Sequence, residues 1–310
     1  MIDIIIPAYN AHKLIDRALL SIANQSIKDK LNVYIINDNS NKNYSEFLKK
    51  YYEYFNITEM VLKENHGPGY ARQYGIEHSK SEYIAFLDSD DMFYSSLSLE
   101  FLYNKAIETG CDLVYSNIYD QIDNNYKLLE QDFIDVQGKL YKRKYIEEHN
   151  VTFPPFYGEE DNSFNQQFYS YNFTYEKVDS ITYVRCDNKE SLTRSNNNVY
   201  MSKYESYFSN GYLYTIDAVI KNSGSKERIA SLIYTPIVKL YYSIVVKNNN
   251  NHDEVVLTNL KKLISLYKEY LPFLSDQNKK SILDYELYCV VSEKEIENLI
   301  SIDDFIEQYK

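Results

Sequence analysis

Up to Ser116, short apolar runs alternate with segments whose apolar residues recur at helical spacing. Residues 2–6, 33–36, 58–62, 83–87 and 112–115 read as strands, and residues 11–25, 44–55, 70–78 and 97–109 between them read as helices. The run over residues 83–87, apolar at every position, marks a buried strand. Strands and helices alternating at this interval predict βαβ units around a largely parallel sheet with helices on both sides.

After Ser116 the pattern becomes polar and rich in turn residues. Asp123-Asn124-Asn125 reads as a hairpin tip, followed by Gly138-Lys139-Leu140-Tyr141 and by residues 153–158 as a proline-containing loop. A helix is predicted from Glu159 or Glu160 to Ser170, then a strand over residues 181–185. From Tyr204 onward the spacing is helical, over residues 204–221, 226–247, 253–270, 278–291 and 293–309, with breaks at residues 222–225, 248–251 and Pro272. The expected organisation is an α/β domain over residues 1–196, made of a 1–116 half and a 117–196 half, followed by a helical domain over residues 197–310.

Composition narrows the function classes. Of 310 residues, 44% are hydrophobic and 15% aromatic, enough for a sizeable core. The formal charge of −12 works against nucleic acid and anionic membrane as general partners, because phosphate backbones are gripped by Lys and Arg. The densest basic cluster, Lys139, Lys142, Arg143 and Lys144, reads as a solvated helix start, with a polyanion contact as the other reading. No apolar run is long enough for a transmembrane helix, and no basic segment with an apolar stretch opens the chain, so the expected location is the cytoplasm, with peripheral association at the inner face of the membrane left open. Cys111, Cys186 and Cys289 lack the spacing of a disulfide framework or a zinc site. The 34 tyrosines are too many for any one of them to be assigned to sugar stacking on sequence grounds.

Candidate chemistry falls at the carboxyl ends of the predicted strands, which converge on one crevice in an open α/β sheet. Pro7-Ala8-Tyr9-Asn10 follows the first strand and Asn37-Asp38-Asn39-Ser40 the second. Asn65-His66-Gly67-Pro68-Gly69 opens the third helix, and Asp88-Ser89-Asp90-Asp91 follows the fourth strand. Tyr9 is placed to stack on a base, Asp38 to accept from a base imide, and Gly67 and Gly69 to let the backbone approach a ligand. Arg72 is placed to reach a diphosphate or to brace the acidic loop. An acidic turn is the plain structural reading of Asp88–Asp91. Neither GxGxxG nor a P-loop is present, so dehydrogenase and ATPase readings have no support.

These four motifs, in this order and spacing, resemble glycosyltransferase family 2, whose members adopt the GT-A fold. The resemblance covers residues 1 to about 116 strongly, weakens to about 196, and leaves out the helical tail. It implies an inverting glycosyltransferase in which Pro7, Ala8, Tyr9, Asn10, Asp38, Asn65, Gly67, Arg72, Asp88 and Ser89 hold a nucleotide-sugar donor, most often a UDP-sugar. It further implies that Asp88 and Asp90, the DxD acids, bind Mn²⁺ or Mg²⁺ against the diphosphate. Hard divalent ions take oxygen ligands and need few from the protein when phosphates supply the rest.

The same resemblance places a general base in Gly158-Glu159-Glu160-Asp161, with Asp161 first and Glu160 as the fallback; helix-start acids complementing the dipole are the plain alternative. Arg194, in Leu192-Thr193-Arg194-Ser195, matches a segment that closes over the diphosphate. Asn37 stands where the family commonly has an acid, and Asn39 where it commonly has Gly. The tail lacks the QxxRW motif of processive synthases, which points to single-sugar transfer. The expected acceptor is a glycan, a teichoic-acid-like polymer or a lipid-linked glycan. Alternatives are a catalytically silent GT-A scaffold, a nucleotidyltransferase, and a sugar transferase acting on modified nucleic acid. The tail is expected either to form homo-oligomers or to bury its apolar faces on the catalytic domain.

Overall fold

The computed structural model describes residues 1–123, 125–130, 134–188, 198–246, 253–290 and 300–310. The chain divides into two compact units, Met1–Ser195 and Asn196–Lys310.

The first unit is built on a nine-stranded sheet: β1 (Ile2–Ala8), β2 (Leu31–Asn37), β3 (Asn56–Val61), β4 (Tyr83–Phe86), β5 (Met92–Phe93), β6 (Leu113–Ile122), β7 (Asn125–Leu129), β8 (Lys139–Lys142) and β9 (Tyr175–Arg185). The spatial order is β3-β2-β1-β4-β8-β6-β9-β5, with β7 hairpinned onto β6. The β3-β2-β1-β4 half is parallel throughout, as the alternation predicts. Beyond β4 the sheet becomes mixed: β8 runs antiparallel to β4 and β6, while β9 runs parallel to β6 with an irregularity between Ser116 and Ile118.

The helices of this unit are α1 (Ile15–Ala23), α2 (Ser45–Leu48), α3 (Pro68–His78), α4 (Ser98–Thr109), α5 (Arg143–Glu148) and α6 (Glu160–Phe168). Side chains of β1 serve both faces of the sheet. Ile2, Ile4, Ile6 and Ala8 join a core with α1 and α4, and Ile5 joins a second core that includes Ala71 of α3, Ile146 of α5 and Phe164 of α6. The helix expected over residues 44–55 is only α2 and a 3-10 turn, although Tyr44, Leu48, Tyr51 and Phe55 are all buried as a helical face requires. Its run of aromatic residues carries little intrinsic helix preference, and Tyr44 is held by other bonds, its N–H on Glu59 and its hydroxyl accepting from the Ala11 N–H.

The basic cluster is a correction to the sequence reading. Lys139 and Arg143 are buried, not solvated. Arg143 donates to Ser81 O at 2.6 Å, Ile76 O at 2.9 Å, Ser79 Oγ at 2.6 Å and Asp3 Oδ2 at 3.1 Å, so it pins the end of α3 to β1. Lys139 Nζ donates to the Asp135 carbonyl. Positive charge at these two positions serves the interior, while Lys144 stays exposed as the sequence reading has it.

The second unit contains α7 (Asn198–Lys221), α8 (Lys226–Tyr241) with a π-turn over residues 242–246, α9 (Glu254–Tyr270), α10 (Asp276–Val290) and α11 (Ile302–Gln308). Ser225, Asp253 and Ser301 cap α8, α9 and α11 by accepting backbone N–H bonds. Phe208, Ile216, Ile233, Ile237, Leu260, Leu263 and Phe305 pack into a core internal to this unit, so the tail's apolar faces meet one another. Residues 293–299 of the last expected helix, the breaker residues 248–251 and His252 lie outside the described residues. No helix among the described residues is long and apolar enough to cross a membrane.

Candidate active site

Four loops meet where the carboxyl ends of the parallel strands converge. Pro7 and Ala8 are the last residues of β1, paired with Ile36 and Asn37 of β2. Tyr9 follows with half its surface exposed, and Asn10 turns the chain at φ 51°. The first two loops are stitched together: the Asn10 N–H donates to Ser40 Oγ at 2.9 Å, and Asn10 Oδ1 accepts from the Asn41 N–H at 2.9 Å. Asn39 adopts φ 59°, a left-handed conformation that Asn tolerates better than most residues, so the absence of Gly here is accommodated.

Asn37 is fully buried, and its amide donates to Glu59 Oε1 at 2.9 Å while accepting from the Ser40 N–H at 2.8 Å. Glu59 also accepts from the Tyr44 N–H and the Ser45 hydroxyl. At position 37 this chain thus sets an amide against a carboxylate that enters from β3. An Asp at 37 would face it as a like charge.

Asp38 is 3% exposed. Its Oδ1 accepts from the His66 N–H at 2.9 Å and its Oδ2 from the Gly67 N–H at 2.7 Å, while Asn65 Nδ2 donates to its carbonyl at 3.2 Å. Burial pushes the carboxyl above its ordinary range and these two backbone donors oppose the shift. Its visible task is to shape the Asn65–Gly67 turn. The two glycines also have a packing role that the sequence reading did not give them. A Cβ on Gly67, at φ +89°, would lie 2.9 Å from the Tyr157 ring, and one on Gly69 would lie 2.7 Å from Glu160 Cβ. Their missing side chains admit the 153–160 loop and α6, which carry the candidate base.

Arg72, 3% exposed on α3, is the centre of the site. Its Nη2 donates to Asp88 Oδ1 at 2.6 Å, and its Nη1 to Asp161 Oδ1 at 2.8 Å and Glu160 Oε1 at 3.4 Å. Its guanidinium lies 5.8 Å from the Phe153 ring centre. The other Asp88 oxygen accepts from Gln137 Nε2 at 2.7 Å. Ser89 is half-buried beside it. Asp90 accepts from Asn188 Nδ2 at 2.7 Å, and its backbone carbonyl accepts from Arg17. Burial and the Asp88 charge push the Asp90 carboxyl upward. Asp91 turns inward, taking the Tyr183 hydroxyl at 2.7 Å and the Cys186 N–H at 2.8 Å, while the Asp88 N–H donates to Tyr183 Oη at 3.2 Å. It clamps the DxD loop onto the end of β9.

Asp161, in the first turn of α6, has its pKa raised to about 8 by burial, with the Glu160, Asp88 and Asp135 charges adding to the effect against the opposing pull of Arg72. The structure therefore brings Arg72, Asp88, Glu160 and Asp161 together, with Asp90 on the loop that Asp88 begins. Sequence reasoning missed Gln137, Asn188, Tyr183 and Arg17, which hold the DxD loop from distant segments, and no local motif marks any of them. Arg194 lies outside the described residues. His12, His78 and His149 stack on Tyr44, Tyr74 and Tyr171, and His66 packs at 4.4 Å from Tyr70. Among the described residues no three His, Cys, Asp or Glu side chains cluster to hold a metal.

A mixed sheet whose parallel half ends in a crevice, with a DxD loop joined by an arginine to an acid on a facing helix, is the architecture of a GT-A glycosyltransferase. The sequence profile of glycosyl transferase family 2 matches residues 3–172, and the chain belongs to that family. It is 26% identical over 264 residues to the poly(ribitol-phosphate) beta-N-acetylglucosaminyltransferase TarP of Staphylococcus aureus, covering 77% of this chain and 79% of that protein. It is 29% identical over 206 residues to the putative glycosyltransferase EpsH of Bacillus subtilis, covering 59% of this chain and 58% of that protein. The crystal structure of S. aureus TarS 1–349 in complex with UDP-GlcNAc shares the fold, at a TM-score of 0.71 and 16% identity over 93% of this chain and 91% of that one.

Proposed function

We propose that this chain transfers a single sugar, with inversion, from a UDP-sugar to a polyol-phosphate or related surface polymer. The observation that carries the reading is the Arg72 bridge, which holds the donor-side acid Asp88 and the acceptor-side acid Asp161 in one constellation. In the reaction the acceptor oxygen attacks the anomeric carbon, the bond to the phosphate oxygen breaks, and the acceptor proton passes to Asp161. A base whose pKa lies near 8 is matched to that step close to neutral pH. Glu160, at the edge of the same guanidinium, helps set that pKa and is the fallback base.

Pro7, Ala8, Tyr9, Asn10, Asn65 and Gly67 line the donor side in this reading, with Asp38 shaping the turn that carries Asn65 and Gly67. A divalent cation, Mn²⁺ or Mg²⁺, fits the donor set. Asp90 carries a carboxyl already pushed up by burial and by the Asp88 charge, so added positive charge would relieve it. Both Asp88 oxygens are engaged by Arg72 and Gln137, so Asp90 would hold the ion with Asp88 in support. When bound, such an ion supplies Lewis-acid charge to the departing diphosphate. The relatives named for poly(ribitol-phosphate), TarP and the beta-glucosyltransferase of Bacillus spizizenii, support a polyol-phosphate acceptor.

Thermal melts with UDP, UDP-GlcNAc, UDP-glucose, GDP-mannose and dTDP-glucose, with Mn²⁺ and then with chelator, test the donor. At 100 times its Kd a ligand adds about 2.7 kcal/mol. A shift for uridine species that the chelator reverses is the expected result, and no shift with any nucleotide would favour the silent scaffold.

A further inference from the structure

A cavity of about 530 Å³ opens between α1 and the segment around β5, with Lys13, Arg17, Ser21, Asn24, Phe93 and Tyr94 in its walls. One wall touches the catalytic loop, because Arg17 donates to the Asp90 carbonyl. Asp16, the acid of the same lining, is engaged by Lys50 and Tyr51. Lys13 and Arg17 therefore set the local charge of the cavity, in a chain whose net charge is −12.

Tyr94 belongs to a second feature as well. Its ring meets Tyr119 of β6 at 5.2 Å, and Tyr119 meets Tyr126 of β7 at 5.6 Å. Tyr94 and Tyr126 are 49% and 50% exposed, and Leu128, paired across the hairpin with Tyr119, is 49% exposed. The sheet thus presents a continuous row of tyrosine rings that starts at the cavity and runs out along the hairpin.

We infer that the cavity and the tyrosine row form one acceptor-binding track for a phosphate-bearing polyol or sugar chain, with phosphate held by Lys13 and Arg17 and carbon faces packed on Tyr94, Tyr119 and Tyr126. The junction at Tyr94 carries the inference. Tyrosine offers an apolar face and a hydroxyl to a ligand that is itself part apolar and part hydroxylated. A polyanion is repelled by most of an acidic surface and is drawn to the place where cations line a concave site. The track rests on the reading of the chain as a transferase to such polymers, and deepens it by saying where the length of the polymer lies.

The test uses the full chain with poly(ribitol phosphate) and neutral dextran as probes, measuring binding without donor, and compares K13E, Y94A and Y126A with the wild type. Each variant is expected to bind poly(ribitol phosphate) about tenfold more weakly, with binding falling as salt rises, with dextran bound by none, and with the nucleotide melting shift unchanged. Affinities equal to wild type in all three variants would overturn the track, as would dextran binding as tightly as the polyanion or a wild-type chain that binds no polymer. Because the nucleotide shift is read in the same samples, loss of the track and loss of the transferase reading are separate outcomes.

Discussion

Arg72 Nη1 donates to Asp161 Oδ1 at 2.8 Å while Nη2 of the same guanidinium reaches Asp88, so one planar fork ties the first turn of α6 to the DxD loop. Arg is suited to this because its donors sit in a rigid plane that serves two carboxylates at once. The acid pair stays together in the interior because the cation lies between its members.

If Asp161 is the base, Asp161→Asn keeps the size and most hydrogen bonding of the site while removing the proton acceptor. Transfer is expected to fall by about 10²–10⁴-fold with nucleotide affinity preserved. Single-turnover rates alongside donor titrations check this, and a variant with near wild-type transfer would move the assignment to Glu160.

Arg72→Met leaves Asp88, Glu160 and Asp161 without their shared cation in a mostly buried site. Breaking a buried pair from one side costs about 3–5 kcal/mol, and Arg72→Lys restores only part of it because an ammonium cannot span two carboxylates in the same plane. Urea unfolding of the three proteins gives the comparison.

The pH dependence follows from Asp161. Its folded pKa of about 8 lies far above the roughly 3.9 of an aspartate in an unfolded chain. Between these values the native state holds a proton that the unfolded state has lost, so the contribution to stability is full below the unfolded pKa and is lost as pH rises through the folded one. With Asp161 as the proposed base, activity runs the other way, since a base works ionised: kcat/KM should rise with pH to a midpoint near 8. Stability and rate measured against pH, in wild type and Asp161→Asn, should show both slopes in the former and a flattened stability slope in the latter.

Gly69→Ala places a methyl group 2.7 Å from Glu160 Cβ, and the first turn of α6 must retreat. The expected signature is a fall in kcat larger than any change in donor affinity, because Asp161, the proposed base, moves while the β1, β2 and β4 loops stay. Equal losses in both would show that α3 itself had been displaced.

Asn37→Asp sets a carboxylate against Glu59 in a fully buried position. Leaving such a group unpaired costs about 1–3 kcal/mol or more when charged, so melting should fall, and the double variant with Glu59→Gln should recover most of the loss. Absence of that recovery would mean that the two side chains do not act as a pair.

Much of this was legible along the chain. Each β-strand of the parallel half lies within a residue or two of its apolar run; β1 and β4 are buried at every position and so, Asp3 apart, are written as apolar runs, while the edge strand β3 stays partly exposed and carries Thr58 and Glu59 in its run. The DxD acids, Arg72 and Asp161 were also visible as short motifs. Asp3 was not readable as a fully buried acid, because its partners Ser81, Asn32 and Arg143 come from three other segments. For the same reason the pairing of Asn37 with Glu59 leaves no local mark.

The sequence by itself determined the order of elements, the converging strand ends and the residue types available for chemistry, all of which depend on near-neighbour spacing and side-chain polarity. Tertiary structure alone decided which of those side chains meet: that Gly67 and Gly69 admit Tyr157 and Glu160, that Asp38 shapes a turn, that Arg143 is interior, and that Tyr94 joins a cavity to a row of tyrosines. Such meetings depend on packing between segments far apart in the chain. Hydrogen bonds and burial select among them only once the sheet has brought those segments within a few ångströms.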